Sequence, residues 1–266
     1  MAFTRADMLA AVERSPEAAR AHDRDGWVGL FTPDGRVEDP VGSRPHRGTA
    51  AIGRFYDTFI GPRNITFHRD VDIVVGATVI RDLQLEVKMA STLTMRIPAY
   101  LRYDLENHND ELKIAALQAF WELPAMVGQF LRTGVRAVPA GVQLSKALVA
   151  NQGLGGTLGF LSGFRGLGTG STGVVARFLD AACAGDEVGM RRRLAGQVLA
   201  TSGDDLALSA AELARHLAGA RWHKLIGSGY AVVAAVERAG QRSVFVGEVG
   251  SEPATLKRIR VFSEAG

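Results

Sequence analysis

The sequence predicts an α+β protein made of two successive units. Helical spacing comes first in each half of the chain, and strand alternation follows. The strands are joined by tight turns such as Asn107-His108-Asn109-Asp110, not by helices. The order helix, helix, strand, helix, strands then recurs after residue 173. A chain of 266 residues has room for two small domains. The expected division is a first domain over 1–126, a helical linker over 127–172 and a reduced second copy over 173–266. A curved antiparallel sheet wrapped on helices, cone-like in outline, fits each unit.

In the first unit, residues 6–21 carry Met8, Leu9 and Val12 on one helical face, with Pro16 expected to interrupt it or to start a second turn. Residues 25–31 read as a short second helix. Thr32-Pro33-Asp34-Gly35 reads as a turn and 36–39 as a strand. A third helix is expected over 48–59. Strands follow over 65–75, 76–88, 93–105 and 112–121; in the third, Met95, Ile97, Ala99, Leu101 and Tyr103 share one side. Residues 123–173 show no alternation and few acids. A basic, acid-poor helical pair there would pack on a domain or rest on a membrane surface, and it is too broken to span one. In the second unit, helices are expected over 174–184, 190–194 and 208–217, the last with a serine cap. Strands are expected over 197–200, 222–226, 230–238, 243–249 and 256–262.

Composition narrows the function classes. Hydrophobic residues are 47% and charged residues 22%, as in a globular protein. The formal net charge is +3, which makes no case for nucleic acid, and Arg191-Arg192-Arg193 reads as a solvated helix face. The single cysteine, Cys183, allows neither an internal disulfide nor a cysteine metal cage, and it reads as a small core residue. His46 and His68 lack partners at metal-ligand spacing, so neither a metal nor a cofactor is expected. Charges at Arg5, Asp7, Glu13 and Arg14 leave no apolar leader, and a cytoplasmic location is the expectation.

The stretch Val37-Glu38-Asp39-Pro40-Val41-Gly42-Ser43 carries the chemistry. Pro40 holds Asp39 extended, so its carboxylate leaves the chain on a defined side. In an apolar cavity that carboxylate becomes a stronger base and a proton shuttle; in a turn it is only solvated. The longer segment Leu30-Phe31, Val37 to Ser43, Pro45, Gly48-Thr49-Ala50-Ala51-Ile52 and Phe55-Tyr56 resembles the ketosteroid isomerase-like, SnoaL-like branch of the nuclear-transport-factor-2-like superfamily. The resemblance implies the cone-shaped fold, an apolar steroid-like or polyketide-like ligand, and Asp39 as general base. Tyr100 then falls where the family has a second donor to the developing enolate, and Tyr56 where it has a supporting tyrosine. The family's first-helix tyrosine is replaced by Ser15. Trp121 falls at a pocket-lining aromatic, and Phe31, Phe55, Phe59, Met89 and Met95 are core or pocket wall. Arg81-Asp82 suggests the epoxide-hydrolase branch, but the spacing is wrong and Ala119 stands where a second aspartate is needed.

Two functions stay open on these residues. One is steroid-isomerase-like proton transfer next to a carbonyl. The other is a non-enzymatic lipid-binding or scaffold protein with the same tandem cones. The second unit has Ser202 where Asp39 should recur, so it reads as non-catalytic, taking the place of a partner subunit; a homodimer is also compatible.

Overall fold

A computed structural model describes residues 3–90, 93–122, 169–194, 199–203, 205–250 and 255–264. Helix α1 (Arg5–Arg20) opens on a capping box: Thr4 Oγ1 accepts from Asp7 N at 3.2 Å, and Thr4 N donates to Asp7 Oδ2 at 2.8 Å. The helix runs through Pro16 rather than stopping there. Burial of Val12, Pro16 and Ala19 along one face outweighs the single backbone hydrogen bond that proline forfeits. Helix α2 (Arg24–Gly29) is capped by Asp23, whose Oδ1 accepts from Gly26 N at 2.9 Å.

Strand β1 (Phe31–Glu38) begins inside the stretch expected to be helix and turn. Its register on β6 explains the difference. Phe31 faces Ile114 and Arg36 faces Ala116, so five steps on β1 match two on its partner. The extra residues, Pro33-Asp34-Gly35 among them, bulge out of the ladder, where proline's missing N–H costs nothing. The short β2 (His46–Arg47) leads into α3 (Gly48–Phe55) and a single π-helical turn at Tyr56–Ile60. Strands β3 (Asn64–Val75), β4 (Thr78–Ala90), β5 (Leu93–His108) and β6 (Glu111–Phe120) complete a sheet of order β2-β1-β6-β5-β4-β3. The β5–β6 hairpin closes on Asn109 and Asp110, both left-handed at φ 53° and 63°, the pairing a two-residue primed turn requires.

The second half supplies α4 (Thr169–Cys183), α5 (Glu187–Arg193), β7 (Leu199–Ser202), α6 (Ala210–Leu217), β8 (Arg221–Ser228), β9 (Ala231–Arg238), β10 (Gln241–Val249) and β11 (Leu256–Ser263). Its sheet order is β7-β11-β10-β9-β8, with β7 parallel to β11 as β1 is parallel to β6. Cys183 packs half-buried against the second core, and the three arginines at 191–193 are exposed. The segment expected to be a helical linker lies outside the described residues up to 168; residues 169–172 open α4. No described helix is long and apolar enough to cross a membrane.

The molecule is layered helices, sheet, sheet, helices. One face of the first sheet packs on α1, α2 and α3 through Val12, Trp27, Ile52, Phe55, Val79 and Leu83. The other face, with Ile73, Ile80, Tyr100 and Phe120, packs on Val233, Ala235, Val244, Val246 and Phe262 of the second sheet. The second sheet's far face packs on α4, α5 and α6 through Phe178, Leu179, Met190, Leu213 and Leu217. Strand β9 reads Ala-Val-Val-Ala-Ala-Val because both of its faces are buried.

Candidate active site

Glu38 ends β1 and Asp39 follows in the bend just past it, and their carboxylates leave the chain on opposite sides. Glu38 turns toward the second sheet, where Oε1 accepts from Gly42 N at 2.9 Å and Oε2 from Gln118 Nε2 at 2.9 Å. Asp39 turns the other way, into the cone. A cis peptide bond joins it to Pro40, and Val41 N returns to the sheet through Ala119 O at 2.8 Å.

Asp39 stands on the wall of a cavity of about 140 Å³. The walls come from α1 and α2 (Ser15, Trp27), from α3 and the π turn (Phe55, Phe59, Ile60), and from the concave face of β3 to β6. The lining is overwhelmingly apolar. Trp121 Nε1 donates to Asp39 Oδ1 at 2.6 Å. Part of the Asp39 surface remains open, because the carboxylate looks into the cavity, yet the walls around it are apolar. Burial raises its pKa to about 6, and the Trp121 hydrogen bond opposes the rise. A carboxylate with that pKa is ionised at neutral pH and basic enough to accept a carbon-bound proton in a dry site.

The cavity wall includes Phe55, Met95 and Trp121, as the sequence suggests. Phe31 lies one layer back, its ring 4.8 Å from Trp27, in the core rather than on the wall. The side chain of Met89 lies outside the described residues. Tyr56 also stands behind the wall, 5.5 Å from Trp27. Its buried hydroxyl has no hydrogen-bond partner among the described residues, and burial, with Asp23 and Asp57 nearby, raises its pKa.

Tyr100 is not in the cavity at all. Strand parity places it on the outer face, where its hydroxyl donates to Lys224 O at 2.9 Å. Its ring lies 4.7 Å from Lys224 Nζ. The neighbours that face inward are Leu101 and Tyr103. Tyr103 is the phenol that sequence reasoning passed over. It lines the cavity, is 1% exposed, and has Ser15 as a hydrogen-bonding neighbour. Burial pushes its pKa up to about 12, with Arg81 and Ser15 pulling against it. Ser15 Oγ in turn accepts from Trp27 Nε1 at 3.1 Å. A small residue at 15 thus opens space on α1 that a phenol from β5 fills. The signal was present in the alternation of β5, which groups Tyr103 with Met95 and Ile97.

Arg81 and Asp82 cannot form one centre, since they lie on opposite faces of β4. Arg81 faces inward, 2.8 Å from both Asp72 Oδ1 and Glu13 Oε2. Asp82 faces outward and pairs with Lys224, which also donates to Leu83 O at 2.7 Å and Ala99 O at 3.0 Å. Among the described residues no cluster of His, Cys, Asp or Glu could hold a metal ion.

Residues 12–109 match the model of the SnoaL-like domain. The N-terminal region is a SnoaL-like domain. Its likeness to a steroid Delta-isomerase from Nocardioides simplex is 29% identity over 130 residues, which is 46% of this chain and 95% of that protein. Among solved structures, a Delta 5-3-ketosteroid isomerase from Mycobacterium sp. is 26% identical, covering 45% of this chain and 96% of its own, with a TM-score of 0.41. An LEH-like epoxide hydrolase from M. tuberculosis is 17% identical, covering 51% and 97%, with a TM-score of 0.42. All three relatives are about half as long as the present chain; Asp39 lies within the matched residues, while Leu117 and Trp121 of its cavity lie beyond them.

Proposed function

We propose that the SnoaL-like domain binds an apolar, steroid-like or polyketide-like ketone and moves a proton next to its carbonyl. The observation that carries this reading is Asp39 itself, set in an apolar cavity with Trp121 as its hydrogen-bond donor. With a β,γ-unsaturated ketone, the Asp39 carboxylate takes a proton from the carbon between carbonyl and double bond. The C–H electron pair flows onto the carbonyl oxygen, giving a dienolate. The Asp39 carboxyl then returns the proton to the far carbon, and the double bond ends in conjugation. Tyr103 stands as the donor to the developing oxyanion, with Ser15 beside it. Tyr56 and Tyr100 take no part.

The second half is a non-catalytic copy of the same architecture in this proposal, with units at 1–126 and 173–266. The matching strand order and the paired outer faces support it. The back of the SnoaL-like domain is then covered from within the chain rather than by a partner subunit.

Ultraviolet-monitored turnover of a Δ5-3-ketosteroid, wild type beside Asp39→Asn, tests the reading. Turnover lost in the variant is expected. Equal turnover in both would end the proposal, and no turnover in either would favour a binding protein that holds an apolar ligand without chemistry.

A further inference from the structure

Arg63 is the cationic side chain among the described residues of the cavity wall. It precedes β3, at the far edge of the sheet from β1 and Asp39. Four strand spacings of ~4.8 Å separate those edges, roughly 19 Å along the sheet and less across its concave face. The cavity therefore carries one charged group toward each edge of the sheet, and apart from Ser15 and Tyr103 the rest of its lining is apolar.

Arg63 is also short of partners. Its described hydrogen bond runs from Nη1 to Thr58 O at 2.6 Å, and no described carboxylate pairs with it. A guanidinium carries five N–H donors. Burial pushes its pKa down with no acid to oppose the fall. Arg63 is half-buried; the fully buried arginine of this domain is treated differently, since Arg81 is held by both Asp72 and Glu13. A cation in an apolar wall without a counter-charge is costly until something negative arrives. A carboxylate meets a guanidinium with two parallel, charge-assisted hydrogen bonds.

We propose that the ligand is an amphipathic acid: its carboxylate pairs with Arg63 while its apolar skeleton lies across the sheet toward Asp39. The inference rests on the ligand-binding reading above and adds the class of ligand.

Binding of a 3-oxo-steroid carrying a ring-D carboxylate, and of its methyl ester, tests it through the fluorescence of Trp27 and Trp121, both on the cavity wall. The wild type should bind the acid at least about tenfold tighter than the ester. Arg63→Met should abolish that preference with little change in ester affinity, and Arg63→Lys should keep part of it. Equal affinities in the wild type, or a preference that survives Arg63→Met, would overturn the proposal. If Arg63→Met does not fold, the wild-type ratio of acid to ester decides. Binding of the ester and of a neutral ketosteroid without preference for the acid would sink the Arg63 inference and leave the cavity reading standing. Failure of acid, ester and neutral steroid alike would sink both.

Discussion

Asp39→Asn should make the protein inactive and more stable at once. The folded carboxyl has a pKa of about 6, against an ordinary value of 3.8. The native state therefore holds the Asp39 proton more tightly than the unfolded chain does. Between pH 4 and 6 the folded state binds more protons, so stability falls as pH rises through that window. Above pH 6 the difference is complete. At about 1.36 kcal/mol per pKa unit, an ionised Asp39 costs the fold roughly 3 kcal/mol at pH 8. Asparagine has nearly the same shape, keeps an acceptor for Trp121 Nε1, and carries no charge. Urea unfolding of wild type and variant at pH 8 and pH 4 measures the effect. The variant should be more stable by about 1–3 kcal/mol at pH 8, with the gap closing toward pH 4. A gap that is independent of pH, or a variant less stable at both, would refute the argument that Asp39 is held in a dry site at the expense of the fold.

Four other substitutions separate the side chains. Tyr103→Phe should lower kcat/KM on the Δ5-3-ketosteroid by about 10²–10³-fold, the usual loss for one oxyanion donor. Tyr100→Phe should leave kcat/KM unchanged. Trp121→Phe removes the hydrogen bond that restrains the Asp39 pKa, so the acid limb of the pH–rate profile should move to higher pH; a limb that stays put would remove Trp121 from the account. Lys224→Met strands Asp82, which is 1% exposed, without its cation and should cost about 3–5 kcal/mol in urea unfolding. Pairing it with Asp82→Leu should recover most of that loss, and the absence of recovery would mean that the pair contributes through packing alone.

The site was legible in the sequence where one residue type in one local pattern decides it. Asp39 before Pro40, with apolar residues on either side, left a solvated turn and a cavity wall both open, and the longer match from Leu30 to Tyr56 pointed to the wall. Tyr100 was assigned by position along the chain, while a strand assigns by parity, and one step moves a side chain to the other face of the sheet. Tyr103 sat in plain alternation with Met95 and Ile97, but looked like one more core residue. Arg63 carried no signal at all. A single arginine in a loop reads as solvated until the fold shows that its loop closes a cavity. The interruption weighed at Pro16 and the turn expected before β1 share one reason. Pro16 and Pro33 are breakers by local propensity, and tertiary packing overrode the first while a bulge absorbed the second. The second unit was visible as an order of elements. Its contact with the first was not, because a strand buried on both faces loses the alternation that would reveal which residues look where.

The two sheets meet at a pair of glycines. A Cβ on Gly42, where φ is +94°, would stand 2.3 Å from the Gly229 Cα, and the reverse is equally close. That closeness is set by backbone alone, so neither position tolerates a side chain. Because both sheets belong to one polypeptide, this junction has no dissociation constant. Dilution cannot open it, and the cover over the back of the Asp39 strand does not depend on protein concentration. A symmetric pair of separate chains must present the same surface twice, and each change on one side appears on the other. Here the two sides can drift apart: the N-terminal face carries Asp82 and Tyr100, the C-terminal face carries Lys224, and each needs to fit only the other.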